Sequence, residues 1–218
     1  MKRHQLSGGR RDFLKVAAFA VAGSAGLSFV PGGKTATGDK DLNIIGPKEG
    51  YSPQIGTLVS MMAFMRNQVM ASTKGMTVEQ LDFLLDDKAN TVGALLNHLA
   101  ATDALYHAYS FKGVVWGKFD PEVVQKFGVA MALGAPARQS IKGHDLDFYY
   151  GLLDETREST LAEFRKRDDA WLMTVDPKWP WGPTNNYCKW FHVCEHEANH
   201  NGQIKLLKSR LPGAKPTE

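Results

Sequence analysis

The chain has 218 residues, 43% of them hydrophobic, an ordinary share for a globular protein. Its formal charge of +3 misdescribes the body of the protein, because residues 1–38 hold six basic residues and one acidic one, leaving 20 basic against 22 acidic. A balance slightly on the acidic side gives no support to nucleic-acid binding. No run of 18 apolar residues follows residue 35, so the same stretch offers no membrane span.

Residues 10–30 read RRDFLKVAAFAVAGSAGLSFV, followed by Pro31-Gly32-Gly33. A positive start ahead of a short, weakly apolar, Ala- and Gly-rich stretch suits translocation better than stable spanning. The segment resembles a bacterial twin-arginine signal, whose R-R-x-F-L-K pattern is met by Arg10, Arg11, Phe13, Leu14 and Lys15. That resemblance implies a signal segment over 1–38, recognition by the twin-arginine export machinery, and a periplasmic or secreted protein that crosses the membrane already folded. No A-x-A triplet stands at the expected cleavage place; the region Thr35–Gly38 is the candidate. Residues 39–218 are then one domain, long enough to bury a real core.

The first helix is expected over 53–73, where Ile55, Leu58, Val59, Met62, Met65 and Val69 recur at helical spacing and Gly75 stops the run. Its methionines read as core filler rather than a copper site. Thr77 with Gln80 has the spacing of a capping box and opens a short helix ending near Leu85. A second long helix covers 90–110, with Leu95, Leu99, Thr102 and Tyr106 on one stripe and His98 beside it. Residues 111–143 read as a long connection containing one short helix that starts at Asp120-Pro121 and is interrupted by Gly128, Gly134 and Pro136. A third long helix is expected from His144 or Asp145 to Asp169, with Leu146, Tyr149, Tyr150, Leu153, Thr156, Leu161 and Phe164 facing inward. The prolines of DPKWPWGP, 176–183, exclude helix there. Thr184 or Asn185 then caps a last helix running to about Arg210. Four long helices and no convincing strand predict an all-α, up-down four-helix bundle.

The two cysteines, Cys188 and Cys194, lie on that last helix about 9 Å apart in axial rise. An internal disulfide cannot bridge that distance. Buried thiols or an intermolecular bond remain.

Chemistry concentrates in FHVCEHEANHNGQI, where His192, His196 and His200 recur every fourth residue. Three such rings span about 12 Å of helix axis, whereas a zinc–nitrogen bond is about 2 Å long. One ion therefore takes two neighbours, and His196 with His200 is the preferred pair. The third ligand must come from another helix. His98, mid-helix in a core-like segment, is the candidate; His107, nine residues on, falls at the opposite end of that helix. Gly202 leaves room for close packing or for a ligand, and Gln203 is placed to orient a ligand or water.

His196-Glu197-Ala198-Asn199-His200 also fits H-E-x-x-H, the zinc-peptidase pattern. No histidine follows His200, and the only later acid is Glu218, so the third peptidase ligand is missing. Peptidase activity is set aside.

The segments LLNHLAATDALYH and HVCEHEANHNGQI together resemble the DinB-like family of four-helix metal proteins, which includes thiol-dependent transferases and isomerases. The resemblance covers most of residues 50–211. It implies a metal site of one histidine from the first segment and two from the second, which match His98, His196 and His200, and an ion that is commonly nickel or zinc. A metal-dependent hydrolase or a thiol-dependent transferase acting on a small molecule follows, with a non-catalytic metal- or ligand-binding bundle as the alternative; a homodimer is a further expectation. Asp103, Tyr106 and Glu155 are candidate pocket groups, while Glu195 and Glu197 read as surface acids. Trp179, Trp181 and Trp190 either pack as a cap or wall a small-molecule pocket.

Overall fold

Residues 41–215 are described in the computed structural model, so residues 1–38, expected to be a twin-arginine signal segment, lie outside the described residues. The first helix, α1 (Pro53–Thr73), begins with proline, whose missing N–H would have had no partner in a first turn. Its N-cap Ser52 makes no side-chain cap of its own. Instead Asp169, far along the chain, accepts from the Ser52 hydroxyl at 2.5 Å and from the backbone N–H groups of Gln54 and Ile55 at 3.0 and 3.3 Å. A carboxylate placed there satisfies free donors and complements the helix dipole.

Thr77 and Gln80 close the expected capping box on α2 (Val78–Leu81). Thr91 caps α3 (Val92–Phe111) by accepting from the Ala94 N–H at 3.0 Å. The stretch expected to hold one short helix holds two, α4 (Pro121–Ala132) and α5 (Gly134–Ser140). Gly128 sits inside α4 without breaking it. The interruption falls at Leu133 and Gly134, both with positive φ, of 53° and 70°. Pro136 occupies the first turn of α5, where it is tolerated.

Asp145 caps α6 (Leu146–Phe164), which ends earlier than its sequence pattern suggested. The reason is local: Asp168 accepts from the Trp171 N–H at 2.8 Å and starts a separate short helix, α7 (Asp169–Met173). The Pro-rich loop contains no helix, but a two-residue antiparallel ladder joins β1 (Val175–Asp176) to β2 (Thr184–Asn185) at its base. A ladder this small leaves the all-α class unchanged. Asn185 then caps α8 (Asn186–Ser209), accepting from the Cys188 N–H at 2.8 Å.

The long helices α1, α3, α6 and α8 form the expected all-α bundle, with α8 between α1 and α3, and α3 also against α6. Two apolar clusters fill it. One gathers Leu95, Leu96, Leu99, Tyr149 and Leu153 with Phe127 of α4. The other gathers Ile55, Leu58, Met62, Tyr106, Phe164 and Trp190, so Met62 is core filler as expected. Tight packing between α3 and α6 depends on Gly93, where an added Cβ would stand 2.5 Å from the Tyr149 hydroxyl.

Candidate metal centre

Two helices supply the histidines. On α8 the helical repeat places His196 and His200 one turn apart on one face, and α3 lays His98 against them. Positions rising along α3 meet positions falling along α8, because Tyr106 contacts Trp190 and His192 while His98 meets His196 and His200. The two helices are therefore antiparallel. Ring centroids within the trio lie 5.0, 5.0 and 4.4 Å apart. The Nε2 atom of His196 stands 3.2 Å from that of His98 and 3.1 Å from that of His200. One nitrogen from each ring falls within 4.8 Å of the others, a grouping able to hold a metal ion.

The outer nitrogens decide which way the lone pairs face. His98 Nδ1–H donates to the Ala130 carbonyl of α4 at 2.9 Å, and His200 Nδ1–H donates to Gln203 Oε1 at 3.2 Å. A neutral imidazole has one N–H, so both rings present a bare Nε2 to His196. A single proton on His196 Nε2 can serve only one of these two acceptors. The His196 Nδ1 atom is buried without a hydrogen-bond partner. Protein atoms alone thus leave the cluster short of donors, and a cation at the focus of three Nε2 lone pairs satisfies all of them at once. Bonds of about 2.1 Å at angles between octahedral and tetrahedral separate adjacent nitrogens by roughly 3.0–3.4 Å, which the His196 spacings match.

Electrostatics agree with that donor set. Burial pushes His98 down to about 4, against a smaller upward pull from the Ala130 carbonyl. Burial, followed by the neighbouring imidazoles of His200, His98 and His192, pushes His196 down to about 3. His200 is also lowered by burial, with Gln203 opposing. All three rings are held neutral at pH 7, the form that binds metal.

A fourth protein ligand does not close the centre among the described residues. His192 lies one turn before His196, its Nδ1–H donated to Glu195 at 2.7 Å and its ring centroid 5.7 Å from that of His196. Glu155 belongs elsewhere, gripped by Lys126 at 2.5 and 2.6 Å. His107 is likewise apart, lining a cavity of 260 Å³ with Glu155, Lys126 and Ser159. Gln203 does orient a ligand ring, as its place on the helix suggested. Gly202 meets nothing within 4 Å of an added Cβ, so no close helix packing requires it.

Glu197 is not the surface acid its sequence position suggested. It is 1% exposed, and its Oε1 accepts from Arg66 at 2.6 Å and from Arg157 at 2.8 Å. Asp103, fully buried, completes the cluster by accepting from the same arginines at 3.3 and 2.9 Å. Each of the four residues comes from a different long helix, which is why no local pattern revealed the set. Asp103 is therefore a structural ion-pair partner rather than a pocket group. Glu195, by contrast, is exposed as expected.

Neither cysteine competes with the histidines. Burial pushes the Cys194 thiol up to about 11, which keeps it protonated and inert. Cys188 is exposed, so the reading of two buried thiols holds for one of them. Tyr106, Trp179 and Trp190 are buried in the cluster capping this end of the bundle, whereas Trp181 is exposed.

No curated relative matches the chain. A family model described as mycothiol S-transferase matches residues 57–213, a span that runs from α1 to just beyond α8 and takes in His98, His196 and His200. The chain therefore belongs to the mycothiol S-transferase family, a DinB-like family.

Proposed function

We propose that the protein is a metal-dependent S-transferase in which His98, His196 and His200 hold one divalent ion, nickel or zinc. The observation that carries this reading is the convergence of three Nε2 lone pairs, two of them aimed by Nδ1–H bonds to Ala130 and Gln203. A bound divalent ion supplies positive charge that lowers the pKa of a thiol or water beside it. The nucleophile is the sulfur of a low-molecular-weight thiol such as mycothiol, the thiol in the family's description, while the chain's own Cys194 is buried and protonated. The new bond joins that sulfur to carbon of a small electrophile, the leaving group departs with its electron pair, and the thiol proton passes to solvent. The residues of this chain hold the three rings neutral, fix two ring tautomers and, among the described residues, supply no fourth protein ligand.

Elemental analysis of purified protein tests the centre, paired with His98→Ala and His200→Ala variants. About one equivalent in the wild type and loss in both variants is expected; stoichiometric metal in both would overturn the assignment. A panel of thiols with small electrophiles tests the chemistry, with thioether formation abolished by the same substitutions.

We further propose export by the twin-arginine route, on the strength of Arg10-Arg11-Asp12-Phe13-Leu14-Lys15. Replacing both arginines with lysine should retain the protein inside the cell, and unchanged export would refute the route.

A further inference from the structure

We infer that Trp181 and His192 form a shelf beside the histidine trio that binds the flat, apolar body of the electrophilic substrate; this rests on reading the trio as the transferase centre. The seam between α3 and α8 does not end at His196. One turn back along α8 the His192 ring packs against Tyr106, at 5.7 Å between centroids, and meets Trp181 edge to face at 4.8 Å and 75°. The bond from Nδ1 to Glu195 fixes the ring of His192, so the shelf begins about one helical turn from the converging nitrogens. A six-membered ring lying on it brings an attached reactive carbon to the trio.

Trp181 is the unusual member. It is 52% exposed, although Trp179 and Trp190 nearby are almost wholly buried. The chain holds it there: Pro180 and Pro183 restrict the loop, the Gly182 N–H donates to the Trp179 carbonyl at 2.9 Å, and Gly182 takes a φ of 98° that suits glycine. The β1–β2 ladder pins the base of the loop. Behind it stands Trp179, which touches Trp181 at 5.8 Å and is itself backed by Tyr106 and Tyr109 at 5.9 and 5.7 Å. An indole presented to water on a rigid support is the kind of pre-organised aromatic that binding sites use for anchoring.

Charge around the shelf points to an uncharged flat partner. Glu195 is taken by His192, and Lys189 is paired with Asp176 at 3.0 Å and lies 4.3 Å over the Trp179 ring. Lys189 and Asp176 compensate each other and the Glu195 carboxylate is engaged by the His192 N–H, which leaves aromatic faces as the available surface. Position selects a substrate over a second protein, since a macromolecule seated on Trp181 would also cover the approach to His196.

The test is quenching of tryptophan emission by 1,3-dinitrobenzene, a flat aromatic with no leaving group for the exposed Cys188 thiol to displace, on the full-length protein with its metal content measured in parallel. Saturable quenching is expected in the wild type, roughly tenfold weaker binding in Trp181→Ala, and near-complete recovery in Trp181→Phe. Equal binding in wild type and Trp181→Ala, or conversion of a dimer to a monomer by Trp181→Ala in sedimentation, would overturn the shelf. His98→Ala keeps the outcomes apart. Binding of the probe by that variant after losing its metal supports the shelf independently, whereas wild-type protein that carries metal but never binds the probe sinks the shelf alone. Wild-type protein that binds the probe without carrying metal sinks only the transferase centre.

Discussion

His196 and Glu197 are adjacent in the chain yet face different neighbours of α8: the imidazole meets His98 of α3 at 3.2 Å, and the carboxylate meets Arg66 of α1 at 2.6 Å inside the bundle. The geometry of the histidine trio is thereby tied to a cluster in which all four long helices share charged hydrogen bonds. Glu197 bonds Arg66 of α1 and Arg157 of α6, and both arginines bond Asp103 of α3. Arg66 also donates to the Leu153 carbonyl, and Arg157 to that of Met62, so the guanidinium groups pin backbone as well as side chains.

Removing one partner from a buried set of this kind strands the others. Glu197→Ala is expected to cost about 3–5 kcal/mol, because two arginines would remain buried with one carboxylate between them. Urea titration of metal-free protein reads the loss directly. Glu195→Ala, two residues away but exposed, should change the unfolding free energy by less than about 0.5 kcal/mol. Equal effects from the two substitutions would show that the cluster does not hold the bundle.

How far the sequence could be read follows from the same contrast. Helix periods fix which residues of one helix share a face, so His196 with His200 was legible, and an apolar segment containing His98 supplied the partner. The boundaries of α1, α3 and α8 followed from caps and apolar rhythm. Glu197 was misread because its burial depends on arginines 131 and 40 residues away in the chain. The available signal lay in Arg66 and Arg157 themselves, each set within an apolar stripe, Arg66 between Met62 and Val69 and Arg157 between Leu153 and Phe164. The break between α4 and α5 was harder still, since Leu133 takes a positive φ that its residue type disfavours.

Gln203 should matter to metal affinity without touching the ion. Its Oε1 accepts the Nδ1–H of His200 and so keeps the Nε2 lone pair facing the trio. Gln203→Ala is expected to weaken binding by about 10–100-fold while leaving one site per chain. Competition against a chromogenic chelator measures this. Gln203→Glu should retain most of the affinity, because a carboxylate accepts the same bond. A Gln203→Ala protein that competes as well as wild type would remove the glutamine from the site.

The stability of ion-free protein should depend on pH with a definite sign. His98 and His196 sit at about 4 and about 3 when folded, below an ordinary value of 6.5. Between those limits the unfolded chain binds protons that the folded chain refuses, so stability falls as pH drops below 6.5 and is insensitive to these rings above it. Protons and metal compete for the same Nε2 atoms, so ion retention should fall across that window too. Urea midpoints of chelator-treated protein at pH 7.5, 6.0 and 5.0 follow the effect. Replacing His196 with glutamine should flatten the slope, and an unchanged slope would assign the dependence to other groups.

Two helical glycines should respond in opposite ways to the same substitution. Gly93 in α3 faces Tyr149 of α6, and an added methyl would press against the tyrosine hydroxyl at 2.5 Å and its ring carbon at 2.8 Å. Tyr149 is fully buried and cannot swing clear, so Gly93→Ala should destabilise by about 1–3 kcal/mol despite alanine's better helix propensity. Gly202 lies within α8 two residues beyond His200, with open space around its missing Cβ. There only the propensity term operates, and Gly202→Ala should stabilise by up to about 1 kcal/mol. Metal content supplies the second reading: with no helix pressed against Gly202, the alanine variant should load as wild type does. A Gly202→Ala protein that folds well but binds no metal would mean that this open ground belongs to the centre itself.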